Sequence, residues 1–185
     1  MSASVPRGRI RAQREPLLAR LSGDERLVVL LAPRFMEASE LLRAWSGTAA
    51  PAGALVACVI DPPGDVTEDE YWARLASGFP RGGAGRVGDD DDVAPFADVL
   101  SRLSAQEAPV VLVLDHLHLL AEPGARLDEL FGHAPPAGLQ IIAASRTHIA
   151  DLGRVSRTAS CRFITGDALL WDAEDIAAAA GKSGI

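Results

Sequence analysis

Five short apolar runs punctuate the chain, at Leu27–Leu31, Leu55–Ile60, Val110–Leu114, Leu139–Ala144 and Cys161–Thr165. Each is rich in Val, Ile or Leu, and none alternates cleanly between apolar and polar positions. Strands covered on both faces read this way, as in a parallel sheet between two layers of helices. Helical patterns surround these runs. Glu15–Leu21 precedes the first, Ser39–Trp45 follows it, and Thr67–Phe79 follows the second. Val93–Glu107 leads into the third, Pro123–Phe131 comes after it, and Asp172–Ala180 closes the chain. Thr67 with Glu70 three residues on forms a capping box. The alternation predicts an α/β three-layer sandwich with right-handed crossovers around a five-stranded parallel sheet.

The stretch Leu27–Trp45, LVVLLAPRFMEASELLRAW, carries the most chemistry. A buried strand enters an Ala-Pro turn, and a helix leaves it with Leu41, Leu42 and Trp45 on one face. Strand, tight loop and helix in that order present helix N-terminal amides to an anion. A phosphate-binding loop of that design reads G-x-x-x-x-G-K-[ST], with glycines for close backbone approach and a lysine for the β/γ-phosphates. Here the loop reads Ala32, Pro33, Arg34, Phe35, Met36, Glu37, Ala38 and Ser39. Only the hydroxyl of Ser39 is retained.

Two further strands end in polar groups. Val110–Leu120, VVLVLDHLHLL, sets Asp115 at the carboxyl end of a buried run, where ligands sit in open α/β sheets. Asp115 then either holds Mg²⁺, as in phosphate-loop NTPases, or caps its strand by bonding loop amides. The next residue, His116, accepts a proton but replaces a carboxylate poorly in a magnesium shell. Leu139–Thr147, LQIIAASRT, ends in Ser145 and Arg146. An arginine there either offers its planar fork to a γ-phosphate or pairs with a nearby acid at the surface.

Composition narrows the partners. The chain has 185 residues, 48% of them hydrophobic and 23% charged, which suits one soluble globular domain with a substantial core. Its net charge of −7 argues against gripping nucleic acid through phosphates. Cys58 and Cys161 fall in separate apolar runs with no metal spacing and read as small core residues of a reducing compartment. The basic arm over residues 1–14 has no apolar segment behind it, and no run reaches the roughly 18 apolar residues of a membrane helix. A cytoplasmic location is therefore expected. Residues 80–92, PRGGAGRVGDDDD, read as a flexible, solvated loop. The terminal Gly-Lys-Ser follows an alanine-rich helix rather than a strand, so it is not read as a phosphate loop.

Taken together, these segments resemble the N-terminal NTPase module of MalT-like, LuxR-type transcriptional regulators, a branch of the STAND class. Val5-Pro6-Arg7 and Glu15–Leu21 resemble that family's V-P-R opening and R-x-x-L-L-x-R-L helix. Its loop A-P-A-G-Y-G-K-T-T-L-L lies against Ala32–Leu42, and its Walker B strand V-L-V-L-D-D-Y-H-L against Val111–Leu119. Asp115 and His118 are kept there, and His116 replaces the second acid. Its L-A-S-R-T, which carries a sensor arginine, matches Ala143–Thr147. Cys58–Asp61 with Tyr71-Trp72 resembles the W-L-S-L-D…F-W segment, and Leu169–Ala178 the L-x-F-x-x-E-E-A stretch. The resemblance implies a P-loop NTPase-like fold with strand order 5-1-4-3-2. It also implies a lid, a sensor region and a DNA-binding helix-turn-helix, none of them within these residues.

The departures from that family fall on the nucleotide site. Phe35 and Glu37 stand where glycines let amides approach phosphate, and Ala38 removes the lysine. A Glu37 carboxylate about 4 Å from one phosphate charge would cost on the order of 4 kcal/mol at a surface-like dielectric. The expectation is a regulatory, catalytically dead domain that needs no cofactor and acts through other domains of its parent regulator, another protein or a second copy. The alternative is a switch that binds ATP or ADP with Mg²⁺ on Asp115 and Ser39 and uses Arg34 in place of the lysine.

Overall fold

In a computed structural model the described residues are 15–33, 38–80, 94–150, 152, 155, 157 and 159–165. Helix α1 (Glu15–Leu21) leads into β1 (Leu27–Leu31), α2 (Ala38–Thr48), β2 (Leu55–Val59) and α3 (Glu68–Ser77). Then follow α4 (Pro95–Ser104), β3 (Val110–Leu114), a 3₁₀ turn (Leu117–Leu119), α5 (Pro123–Gly132), β4 (Leu139–Ser145) and β5 (Cys161–Thr165). All four strand pairings are parallel, in the order β2-β3-β4-β1-β5. Read from the other edge, this is the expected 5-1-4-3-2.

Alternate side chains of the central strands feed two cores. Val28, Leu30, Val111, Val113, Ile142 and Ala144 pack with Leu41, Leu42 and Trp45 of α2 and Leu21 of α1. Leu27, Val29, Leu112, Leu114, Ile141 and Ala143 face Tyr71, Trp72, Leu75, Leu103 and Leu127 of α3, α4 and α5. That double covering is why β1, β3 and β4 read as unbroken apolar runs, and each such Val, Leu or Ile contributes about 1.5–3 kcal/mol by its burial. The edge strands differ from the expectation of two covered faces. β2 is half-buried over much of its length, and on β5 Phe163 is 46% exposed.

Local chemistry sets the helix boundaries. Thr67 accepts from the Glu70 amide at 3.2 Å while Glu70 accepts from the Thr67 amide at 3.0 Å, so α3 starts one residue after its cap. Pro95 occupies the first turn of α4, where its missing N–H costs nothing, which shortens the Val93–Glu107 expectation. Gly78 ends α3 against β2; a Cβ there would lie 3.3 Å from Ala57. Two features had no counterpart in the hydrophobic pattern: the 3₁₀ turn after β3, and helical residues Leu152, Val155 and Arg157 between β4 and β5. Leu152 and Val155 belong to the same core as α3–α5. The expectations for residues 1–14, 81–92 and Asp172–Ala180, and for the terminal Gly-Lys-Ser, lie outside the described residues. Among the described residues no helix is long and apolar enough to cross a membrane.

Trp45 is fully buried and donates its indole N–H to Ser22 Oγ at 2.8 Å, tying α2 to the end of α1. Trp45→Ala is expected to cost about 3–5 kcal/mol in urea unfolding. Thr67→Ala, which removes only the cap, should cost about 1 kcal/mol. Equal losses for the two would contradict this account of the core.

Candidate functional site

A parallel sheet brings every strand's carboxyl end to one edge. The turns after β1, β3 and β4 enclose a cavity of about 70 Å³ there, lined by Ala32, Pro33, Ala38, Ser39, Asp115, His116, His118, Ala144, Ser145 and Arg146. The three signals of the sequence, far apart in the chain, therefore meet in one place. Ala38 and Ser39 open α2 beside the cavity. Arg34, Phe35, Met36 and Glu37 lie outside the described residues.

Asp115 is 2% exposed, and its carboxylate is turned onto backbone. Oδ1 accepts the His116 amide at 2.8 Å, and Oδ2 accepts the Asp61 amide at 3.0 Å. Asp61 and His116 have φ of 54° and 56°, left-handed values that non-glycine residues rarely adopt. One carboxylate thus holds the amides of both left-handed residues, where the chain leaves β2 and β3. This is the strand-capping arrangement that was one of the two readings of Asp115. The carbonyl of Asp115 in turn accepts from the Tyr71 hydroxyl at 2.8 Å. Burial, then the nearby Asp115 charge, pushes the Tyr71 pKa well above its usual value, so this phenol stays a donor.

His116 is 8% exposed and faces a charged group on either side. The Arg146 guanidinium lies 2.8 Å from its Nε2. Arginine has only donors, so the contact is a hydrogen bond when Nε2 is bare and the ring proton sits on Nδ1. Nδ1 is 3.2 Å from Asp115 Oδ2 but off the line a hydrogen bond requires, and this buried nitrogen has no other partner. Arg146, itself exposed, has its head bonded to a histidine rather than to an acid among the described residues. The Arg146 amide donates weakly to His118 Nδ1 at 3.4 Å. Ser145 turns its hydroxyl away, onto the Thr147 carbonyl at 2.7 Å.

Asp115, His116, Arg146, Ala38 and Ser39, singled out in the sequence, line one cavity. Sequence reasoning missed the Tyr71 and Asp61 contacts. Tyr71 was visible only through the family resemblance. Asp61 precedes Pro62-Pro63, and an Asp-Pro step is a turn signal at a strand end. Cys58 and Cys161 are free, half-buried thiols outside the site, both pushed up in pKa by burial. Among the described residues no group of three His, Cys, Asp or Glu side chains is placed to hold a metal ion.

No protein-family model matches the chain, and no curated protein does either. Solved structures do. The chain aligns over 98% of its length with 51% of the Orc1 protein of Aeropyrum pernix, solved in complex with DNA, at a TM-score of 0.53 and 14% identity. The fold is P-loop NTPase-like. A weaker likeness joins 88% of the chain to 47% of Cdc6p from Pyrobaculum aerophilum, at a TM-score of 0.46 and 15% identity. The chain spans about half the length of these proteins. At such low identity the likeness concerns the fold alone. In that P-loop NTPase-like frame Ala38 begins the helix that follows the first strand, Asp115 tips the third strand and Arg146 the fourth.

Two measurements test this geometry. Asp115→Ala leaves two amides without their acceptor and should cost about 2–3 kcal/mol in urea unfolding, with Asp115→Asn losing about half as much. His118 is held below the usual histidine value of about 6.5 by burial first, then by His116 and Arg146, with Asp115 opposing them. The unfolded chain therefore takes up this proton before the folded one. The stability tied to His118 should be whole above about pH 6.5 and decline as the pH falls below it. An NMR titration of His118 with a midpoint above 6.5 would contradict the assignment.

Proposed function

We propose that the chain is a regulatory NTPase-like domain of a MalT-like, LuxR-type transcriptional regulator, deficient in nucleotide binding and acting through protein contacts. The observation that carries this reading is that the site's polar groups are bonded to one another. Asp115 is turned onto two amides and Arg146 onto His116, while Ala38 offers no cation where the family has its lysine. A cavity of about 70 Å³ also falls far below the roughly 300–1,000 Å³ usual for ligand pockets. The regulator context rests on the motif resemblance, strongest at Val111–Leu119 and Ala143–Thr147. Partners are other domains of the parent, another protein or a second copy. The Orc1 protein was solved with DNA, but a net charge of −7 supports no grip on nucleic acid by this chain. A cytoplasmic location is part of this proposal.

A second reading, an ATP-binding switch with a divergent loop, is favoured by one observation: Ser39, Asp115 and Arg146 line the same cavity. Should Mg²⁺ and a nucleotide bind, Ser39 and Asp115 are the residues to hold the ion, and Arg146 the one to meet the terminal phosphate. Calorimetric titration with Mg·ATP and Mg·ADP separates the two readings. No saturable binding is expected up to about 1 mM, a limit near −4 kcal/mol. Micromolar binding abolished by Asp115→Ala, or phosphate release abolished by Arg146→Ala, would overturn the first reading in favour of the second.

A further inference from the structure

We infer that His116 and His118 form a ligand-independent latch on Arg146, an internal substitute for an anion, which joins the turn after β3 to the end of β4. The inference rests on the nucleotide-deficient reading above and says what holds the site in its place. His116 is positioned from both sides. Its amide is bonded to Asp115 at 2.8 Å, its φ is 56°, and its ring is buried with Nε2 2.8 Å from the Arg146 guanidinium. One residue further along the turn, Leu117 is 1% exposed and anchors the 3₁₀ segment in the core. His118 then meets the Arg146 backbone amide at 3.4 Å. The two histidines, either side of one buried leucine, thus take the arginine by its head and by its main chain. Their rings lie 5.3 Å apart.

A guanidinium needs an acceptor. In an anion site that acceptor arrives with the ligand. Here His116 Nε2, when bare, provides it from within the chain. The family resemblance places an acid where His116 stands. An acid at that position would add a second carboxylate next to Asp115, whereas the imidazole presents an acceptor to Arg146 without a second formal negative charge. The consequence is one conformation at the cavity rim whether or not a ligand is present.

The test uses the full chain at about pH 8.5, where a histidine of ordinary pKa is neutral. Nitrogen-15 NMR of the His116 ring should report the proton on Nδ1 in the wild type. It should show a loss of that preference in Arg146→Ala, a variant that leaves the buried ring in place. In His116→Ala the Arg146 guanidinium resonance should lose its protection, with side-chain N–H exchange rising about tenfold. His116→Gln, whose amide oxygen is again an acceptor, should restore part of it. In a cycle of His116→Ala, Arg146→Ala and the double variant, the effects on exchange of the Thr147 amide should be less than additive. A ring proton on Nε2 in the wild type, or additive effects, would overturn the latch. Each readout is made without nucleotide. A positive Mg·ATP titration of the wild type would therefore defeat the nucleotide-deficient reading while leaving the latch to stand or fall on its own measurements.

Discussion

The carboxyl edge of the sheet is organised by one carboxylate. Asp115 accepts the amides of Asp61 and His116, which leave β2 and β3 in a left-handed conformation. Left-handed backbone at a non-glycine residue costs on the order of 1–3 kcal/mol and persists where surrounding bonds impose it. A hydrogen bond to a charged acceptor returns about as much. The strain and its compensation therefore sit in the same three residues. With these turns fixed, the His116 ring is aimed at Arg146, and the arginine's position follows. The Tyr71 hydroxyl fastens the same point from below, linking the α3 core to the carbonyl of Asp115.

The sheet itself makes that arrangement possible. β3 pairs with β4 from Val110–Leu139 to Leu114–Ala143, and β1 pairs with β4 from Leu27–Ile141 to Leu31–Ser145. Those registers bring the three strands to one edge, with Leu31 level with Ser145 and Leu114 level with Ala143. A shift of one residue in any strand would exchange its two core faces and carry its tip group out of the cluster. The apolar faces that hold α2 on one side and α3–α5 on the other thereby also determine the site. Packing and site geometry share one cause.

The frame was legible because both its signals are strong and local. Buried parallel strands announce themselves as continuous Val, Leu and Ile runs, and all five apolar runs coincide with strands to within one residue. Thr67 with Glu70 announced its helix in the same way. What the hydrophobic pattern did not carry were features set by a single contact or by a tertiary neighbour. The half-exposed edges β2 and β5 reflect position in the sheet, which a strand's own composition does not encode. The 3₁₀ turn depends on His116 adopting a positive φ, which depends on Asp115. The polar tips were legible as candidates, whereas their bonding to one another was not. An aspartate ending a strand reads the same whether it faces an ion or two amides.

That ambiguity has a physical resolution. An ionised carboxylate has about four lone-pair sites, so two amide bonds do not by themselves exhaust Asp115. Turning it toward a cation, however, would leave the His116 amide without its acceptor in a buried position, at about 1–3 kcal/mol, and would release a strained turn. A triphosphate with its ion could offset such a cost, though with Ala38 in place of a lysine its phosphates would find no cation there; an ion alone has little to offset it with. On the proposed nucleotide-deficient reading, the absence of a cation at Ala38 and the capture of the carboxylate by backbone reinforce one another. Without a ligand's contribution, the internally bonded arrangement is the lower in free energy. Each internal bond, Arg146 to His116 included, raises what a ligand would have to displace.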